Sequence, residues 1–205
     1  MRRQEFEVED AAEIEAFLNE ISCGFLGTVT AEGGCRVTPL NFAYGSGVFY
    51  FHGSHAGEKM KQIKADSRVS FTVAKEYALI PSYFTDPHLA CPATSYFKSV
   101  MAEGRSEIVT DPAEKATALS LFMRKLQPEG GYDPIDADDP QYQGQLKAVS
   151  VFKLVPEHLS AKFKFGQNLK AEERGLVMEG LETRGTAGDK ETLELMQKYC
   201  PYHAK

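Results

Sequence analysis

The sequence has no excess of basic residues, and this limits what it can bind. Its 205 residues include 23 lysines and arginines against 29 aspartates and glutamates, which gives a formal net charge of −6 at pH 7. A protein that binds nucleic acids in general normally presents a basic stripe. We therefore expect no nucleic-acid partner, although local cations would still suffice to hold a phosphate-bearing ligand.

Long apolar runs and paired cysteines are also missing. No stretch approaches the ~20 apolar residues that span a bilayer, and acidic residues follow the N-terminal arginines where an export signal would be apolar. We expect no membrane partner and a cytoplasmic location. The cysteines form no CxxC pair, which favours free buried thiols over disulfides. They are Cys23, Cys35, Cys91 and Cys200.

No GxGxxG motif opens a helix after a strand, so the sequence predicts no Rossmann dinucleotide-binding domain. Helical patterns do occur, among them a short one after Gly57 with Met60 and Ile63 on one face. Asp10 precedes an amphipathic pattern over residues 11–21, and Asp111-Pro112 precedes another. Two further helical patterns follow Ala171. Residues 127–145, rich in Pro, Gly and Asp, predict a surface loop.

Most of the remaining chain has residue patterns typical of β-strands, separated by turns that contain glycine. The first three strands read as an antiparallel meander. With few crossover helices, six or seven strands predict a mainly β, α+β fold built on an antiparallel barrel. The predicted strands cover residues 25–30, 36–44, 48–51, 68–73, 96–109, 147–155 and 159–165.

A candidate phosphate site lies between residues 36 and 59. Arg36 is on one predicted strand, while Ser54 and Lys59 follow the end of the strand expected to pair with it. Gly53 and Gly57 would let the backbone approach a ligand closely. A phosphate needs cations, hydroxyls and free N–H groups that converge on one spot. A surface hairpin with ordinary solvated charges is the alternative interpretation.

Two residues near this segment bear on its chemistry. Pro39 cannot donate to a sheet ladder, so it predicts an edge, a bulge or an opening that would suit a flat ring system. His52 could donate a proton or a hydrogen bond to a substrate, or it could be a strand-end histidine held by a backbone carbonyl. For the pair His52 and His55 no third or fourth ligand is evident, so we predict no metal site.

A series of short segments occurs in a characteristic order and spacing over roughly residues 1–155. These segments are Met1-Arg2-Arg3, Arg36 to Phe42, Tyr50 to Gly53, Gly57 to Lys59, Ile63, Val69 to Phe71, Cys91, Tyr96 to Val100, Gly104-Arg105 and Glu114-Lys115. Together they resemble the FMN-binding split barrels related to pyridoxamine phosphate oxidase, most closely the 5-nitroimidazole-resistance branch.

This resemblance implies a split β-barrel homodimer with FMN at the subunit interface. Residues 1–158 would form the FMN-binding split-barrel domain, and residues 159–205 a C-terminal strand and helical extension packing on the barrel or dimer. Arg36 and Lys59 would hold the phosphate, and Tyr96 and Ser99 would come from the partner subunit. The complete cofactor set implied is Arg36, Val37, Thr38, Pro39, Leu40, Asn41, His52, Gly53, Ser54, Lys59, Tyr96 and Ser99.

Two lysines further along the chain leave two interpretations open. Lys162 and Lys164 alternate on a strand, in a segment similar to FMN-binding negative transcriptional regulators of the same superfamily. They could reach the flavin phosphate of the partner chain. They could equally form an exposed basic edge of the kind that protects strands from aggregation.

The implied activity is that of an FMN-dependent oxidoreductase. It would reduce a small oxidised substrate of the nitroimidazole or nitro-aromatic type, with His52 as the catalytic residue and NAD(P)H as a transient donor. A non-enzymatic flavin-binding sensor, regulator or storage protein is the alternative, and a haem-binding split barrel is a third. The chain lacks the C-terminal arginine-rich substrate motif of pyridoxamine phosphate oxidase, which disfavours that enzyme's own reaction.

Overall fold

The computed structural model describes residues 3–202, so Met1 and Arg2 of the resemblance lie outside it. Within that range the chain forms six α-helices and seven β-strands. In chain order these are α1 (Ala11–Glu20), β1 (Cys23–Val29), β2 (Cys35–Asn41), β3 (Ala43–Gly45), β4 (Val48–Gly53), α2 (Glu58–Ala65), β5 (Arg68–Ile80), β6 (Thr94–Val109), α3 (Pro112–Leu126), α4 (Pro140–Ala148), β7 (Ser150–Lys164), α5 (Ala171–Arg184) and α6 (Ala187–Lys198).

The strands form one sheet in the order β2-β1-β5-β6-β7-β4-β3. The pairs β1–β2, β1–β5, β3–β4 and β4–β7 are all antiparallel. The predicted α+β class with an antiparallel sheet is therefore confirmed. Helix starts were predicted well because the caps are local: the Asp10 carboxylate accepts from the N–H groups of Ala12 at 2.9 Å and Glu13 at 3.0 Å.

The chain divides into two compact units. The large unit contains Asp10–Val73 and Val100–Leu159; the small unit contains the segment ending at Glu9, Ala74–Ser99 and the chain from Ser160 onward. Strands β5, β6 and β7 contribute residues to both. The predicted boundary after residue 158 lies next to the start of the last of these segments, whereas residues 74–99 were not predicted to belong with it.

The large unit is built around a cluster of phenylalanine rings. Neighbouring rings meet edge-on, tilted or stacked, with centroids 4.9–6.1 Å apart. Burial of one such side chain stabilises a fold by roughly 1.5–3 kcal/mol, so the cluster fixes the strands that carry it. Its members, each at most 1% exposed, are Phe42, Phe49, Phe51, Phe71 and Phe152.

Phe42 also explains why one strand prediction was wrong. The expected strand over 36–44 is interrupted at this residue, which is fully buried. On one side β2 pairs with β1, and on the other β3 pairs with β4. Both antiparallel pairings of the predicted meander are therefore present, but its single middle strand is wrong, because β2 and β3 are separate strands at opposite ends of the strand order.

Two further corrections concern the chain after α3. The predicted loop over 127–145 includes the start of α4, where the Asp139 carboxylate accepts from the Gln141 N–H at 2.8 Å and Pro140 occupies the first turn. This is the Asp-Pro signal that correctly predicted α3. The two strands expected over 147–155 and 159–165 are one strand, β7, because the fixed φ of Pro156 is compatible with extended backbone.

In the described part of the chain, no helix combines the length and apolar character needed to cross a membrane. All four cysteines are free thiols, as predicted, but their expected burial was wrong. Cys23, Cys35 and Cys91 are exposed, and Cys200 is partly exposed.

Candidate functional site

The candidate site in the large unit is the segment His52–Lys59, called here the cationic loop. It joins the end of β4 to the first turn of α2. The start of the loop is fixed by the sheet, because His52 and Gly53 pair with Val151 and Ser150 of β7. The loop therefore projects from a rigid strand rather than from a flexible connection.

Lys59 lies across the backbone of the cationic loop. A Cβ atom added to Gly53 would come within 3.0 Å of the Lys59 Cε and 3.1 Å of its Nζ. A side chain at position 53 would push the end of the Lys59 side chain away by a few tenths of an ångström, so glycine favours this close approach. Burial lowers the pKa of Lys59 below its ordinary value.

Arg36 reaches the same loop from β2. Its Nη1 lies 2.6 Å from Oε1 of Glu58, and the two side chains are 51% and 58% exposed. The Gln62 amide donates to the same Glu58 oxygen at 3.4 Å and accepts from the Thr28 hydroxyl at 2.7 Å. Since exposed ion pairs contribute only about 0–1 kcal/mol, an incoming phosphate could compete with Glu58 for the guanidinium.

Glu58 is the residue that sequence analysis missed. It stands beside Lys59 in the first turn of α2, where a carboxylate is favoured by the helix dipole. The Arg36 and Lys59 cations are thus accompanied by one anion. Its first-turn position was visible in the sequence, but its pairing with Arg36 depends on how β2 and α2 pack.

A second histidine stabilises the loop. His55 Nδ1 lies 2.6 Å from the Ser150 hydroxyl, which is buried on β7. The Ser54 hydroxyl, predicted to be a phosphate donor, accepts from the Ala56 N–H at 3.4 Å. Its proton remains available for another acceptor because this contact uses only an oxygen lone pair.

His52 does not make the backbone contact that one interpretation expected. The residue is largely solvent-exposed, but its ring packs edge-on against Phe122, with centroids 4.7 Å apart. Within residues 3–202 we find no hydrogen bond to its imidazole. Partial burial of the ring, and then the nearby Lys59 charge, lower its pKa below the ordinary 6.5, so His52 is neutral at pH 7.

Strand β2 stands at one end of the strand order, so of the edge, bulge or opening that Pro39 predicted, the structure has an edge. Val37 is 60% exposed and Pro39 is also exposed, whereas Leu40 is buried. The Asn41 amide donates to the Ser22 carbonyl at 2.9 Å. The strand therefore presents an apolar exposed surface beside Arg36, while Asn41 is occupied by the chain itself.

The structure brings together most, but not all, of the predicted residues. Those on β2 and the cationic loop belong to the large unit, and Tyr96 and Ser99 on β6 belong to the small unit. The assignment of these two to a partner subunit stays a prediction. Within residues 3–202, no three or more His, Cys, Asp or Glu side chains are grouped as metal ligands.

Lys162 and Lys164 are not on an exposed edge. Strand β7 lies between two neighbours in the strand order, and Lys162 pairs with Glu7 in an isolated bridge. Both lysines are half-buried. The Lys162 ammonium lies 5.3 Å from the ring centroid of Phe97, and Lys164 donates to the Thr94 hydroxyl. The basic-edge interpretation is therefore wrong.

Comparison with known proteins adds independent information. The family model described as pyridoxamine 5'-phosphate oxidase matches residues 10–163. A flavocytochrome from Azotobacter vinelandii is 26% identical, with a TM-score of 0.64, covering 83% of this chain and 74% of that one. A comparison with curated proteins found no significant match.

Two further solved structures show the same fold. A Bacteroides thetaiotaomicron protein, provisionally assigned to 5-nitroimidazole antibiotic resistance, is 24% identical with a TM-score of 0.60, covering 76% of this chain and 85% of that one. A FAD and heme binding protein from Mycobacterium smegmatis is 16% identical with a TM-score of 0.63, covering 82% and 78%. These matches confirm the predicted split-barrel architecture.

Proposed function

The chain belongs to the pyridoxamine 5'-phosphate oxidase family, and from this premise we propose that it binds a flavin, FMN, at the cationic loop. The observation that carries the proposal is the position of the Lys59 ammonium across Gly53, with the Arg36 guanidinium held beside the same helix turn. These are the groups that a phosphate monoester requires.

The donors available at this site fit a phosphate. Arg36 can bind two phosphate oxygens with its planar fork, Lys59 adds a point charge, and the Ser54 hydroxyl keeps its proton free. Gly57 precedes α2 without a side-chain cap, which leaves N–H groups of the first turn for a ligand. Glu58 opposes the anion, so the phosphate must displace its carboxylate from Arg36.

The exposed β2 edge suits the ring system of the same ligand. Val37 and Pro39 offer apolar surface next to Arg36, and the backbone of an edge strand has groups that no neighbouring strand uses. Residues Thr38, Leu40 and Asn41 complete the strand. We propose that a second copy of the chain covers this edge in a homodimer and that Tyr96 and Ser99 of that copy approach the flavin.

We further propose that the protein is an oxidoreductase acting on small nitro-aromatic compounds. A bound flavin would supply the electron transfer, while the chain binds it, orients it and excludes water. His52, neutral at pH 7 and solvent-accessible at the loop, can donate a hydrogen bond to a substrate oxygen. The Bacteroides structure supports this substrate class by its description, and a nicotinamide nucleotide would be the transient donor.

A second candidate is a protein that holds haem. It is favoured by the flavocytochrome and the FAD and heme binding protein among the structural matches. The neutral, accessible imidazole of His52 is the kind of group that ligates haem iron. A flavin store or sensor without turnover is the remaining alternative, and the following experiment separates all three.

The purified protein should show flavin absorption at about 370 and 450 nm rather than an intense Soret band. Addition of NADH or NADPH should bleach these bands, and a nitro-aromatic acceptor should restore them. A bound flavin that no donor reduces would indicate a store or sensor. A colourless protein that rejects added FMN would contradict the proposal at its first step.

Replacement of Glu58 provides a test in which the affinity for FMN should rise rather than fall. Glu58→Gln removes the anion that competes for Arg36, so FMN should bind a few-fold more tightly, as expected for an exposed charge. Riboflavin, which lacks the phosphate, should bind the variant and the natural protein equally. Unchanged affinity for FMN would show that Arg36 does not contact the phosphate.

A further inference from the structure

The small unit contains a cavity of about 330 Å³ whose walls are built from residues outside the cationic loop and β2. This volume is at the lower end of the range for ligand pockets, so the cavity suits a compact molecule. Its walls combine apolar and polar side chains. Those that matter here are Ile80, Val177 and Leu169 on the apolar side, and Tyr96, Lys164 and Arg3 on the polar side.

Tyr96 is the first residue of this cavity with an unused donor. The residue is 1% exposed, it lines the cavity, and its hydroxyl has no hydrogen-bond partner among the described residues. Burial raises its pKa to about 12, which keeps the proton on the oxygen at neutral pH. A buried hydroxyl without a partner is costly, so this group is expected to donate to something.

Arg174, on α5, is a second buried residue with an unused donor. It is 4% exposed; its Nη1 donates to the Phe165 carbonyl at 2.9 Å, and its Nη2 has no partner among residues 3–202. It lies close to Tyr96, since a Cβ on Gly166 would be 2.5 Å from the Tyr96 hydroxyl and 3.3 Å from the Arg174 Nη1. A buried guanidinium without a carboxylate partner attracts an anion.

Two cations, Lys164 and Arg3, line the cavity itself. Lys164 donates to the Thr94 hydroxyl, and its ammonium lies close enough to Arg3 for their charges to interact. Glu173 is the acid in the lining, and its carboxylate accepts from the Lys170 N–H at 3.3 Å, where it caps α5. The balance of charge at this cavity is therefore positive.

We propose that this cavity binds a small organic acid, with its oxyanion on the Tyr96 hydroxyl and the surrounding cations and its apolar body against Ile80, Leu169 and Val177. The unpartnered Tyr96 hydroxyl in the cavity wall supplies the specific donor, and the buried Arg174 guanidinium close to Tyr96 adds positive charge behind it. Every residue in the proposal belongs to the small unit; Tyr96 is the one residue that it shares with the proposed flavin contacts, so the test includes competition with FMN.

The test uses the full chain and benzoate, with benzamide as a neutral probe of the same shape. Benzoate should bind and raise the unfolding temperature, whereas benzamide should bind at least tenfold more weakly because it offers no charge to the cations. Tyr96→Phe, which removes one oxygen atom, should weaken benzoate binding about tenfold and leave benzamide unchanged.

Matched variants keep the result interpretable. Lys164→Met should also weaken benzoate binding, whereas Tyr142→Phe, whose hydroxyl donates to the Asp133 carbonyl in the large unit, should not. Equal binding of benzoate and benzamide, or equal binding of benzoate to Tyr96→Phe, would overturn the proposal by assigning the two donors to buried water. Competition between benzoate and FMN would overturn it too, since the cavity would then be part of the flavin site.

Discussion

The two units differ in how completely their buried cations are hydrogen-bonded. In the large unit, Lys115 is 8% exposed and its ammonium donates to the carbonyls of Leu146 and Val149, both at 2.9 Å. In the small unit, Arg174 is buried more deeply but donates to one carbonyl only, and one of its terminal nitrogens is unpartnered. The first cation is satisfied by the fold, and the second is not.

This difference separates structural charges from charges that are available to a ligand. A cation whose donors already bind carbonyls ties elements together, as Lys115 ties α3 to the end of α4. A buried cation with unused donors has lost its hydration without gaining enough hydrogen bonds to offset that loss. We expect this destabilising arrangement where a bound ligand supplies the missing hydrogen bonds. The exposed Arg36 belongs to neither class, because solvent and Glu58 share its charge.

The largest effect expected from this comparison is on Lys115. Lys115→Met should lower the free energy of unfolding by about 3 kcal/mol, because the buried Leu146 carbonyl and the partly buried Val149 carbonyl lose their partner. Urea unfolding at pH 7 measures this. Lys147→Met, an exposed change on the neighbouring helix α4, should have almost no effect. Equal stability of the two variants would show that Lys115 does not link these elements.

In the small unit, a substitution is expected to raise the free energy of unfolding rather than lower it. Without any added acid, Tyr96→Phe should raise the free energy of unfolding by about 1 kcal/mol, since it deletes an unsatisfied buried hydroxyl. Tyr50→Phe should lower it, because that hydroxyl donates to Glu114 at 3.2 Å. If Tyr96→Phe is also destabilising, its hydroxyl has a partner and the contrast between the units fails.

The smallest expected effect is a change with pH in the contribution that Lys125, at the end of α3, makes to the free energy of unfolding. Burial lowers its pKa to about 8, although its ammonium donates to the carbonyls of Leu18 at 2.8 Å and Phe42 at 3.2 Å. With a folded pKa below the unfolded one, its contribution to stability is full above about pH 10.5 and is lost as the pH falls through 8.

The difference in unfolding free energy between the natural protein and Lys125→Met should therefore change between pH 10.5 and 8. Chemical denaturation at several pH values in this range measures the difference. Lys64→Met, at an exposed position of α2, supplies the control, for which the difference should stay constant. A constant difference for Lys125→Met as well would mean that its pKa is not lowered.

Local signals explain which parts of the fold were predictable. Caps at Asp10 and Asp111 lie within three residues of the N–H groups they bind, so the helices could be predicted. The interruption at Phe42 could not, because it depends on which strands β2 and β3 join. The helix at Pro140 could have been predicted from its Asp-Pro start, but the surrounding Gly and Asp residues outweighed that signal.

The candidate site also contains some residues that could be predicted from the sequence and some that could not. Arg36, Gly53 and Lys59 were predicted because a short motif and a family resemblance point to them. The ion pair between Glu58 and Arg36 was not predicted, since it depends on the packing of α2 against the edge strand. The cavity at Tyr96 was missed for the same reason: its walls include residues of β6 and α5, which are far apart in the chain.

Titration of FMN into the natural protein and into the double variant Arg36→Gln/Lys59→Gln tests the central claim most directly. Each charge-assisted contact to phosphate contributes about 1.5–3 kcal/mol, so the double variant should lose at least about a hundredfold in FMN affinity, while riboflavin binding changes little. Retention of FMN by the double variant at the natural affinity would contradict the assignment of the cationic loop as the flavin phosphate site.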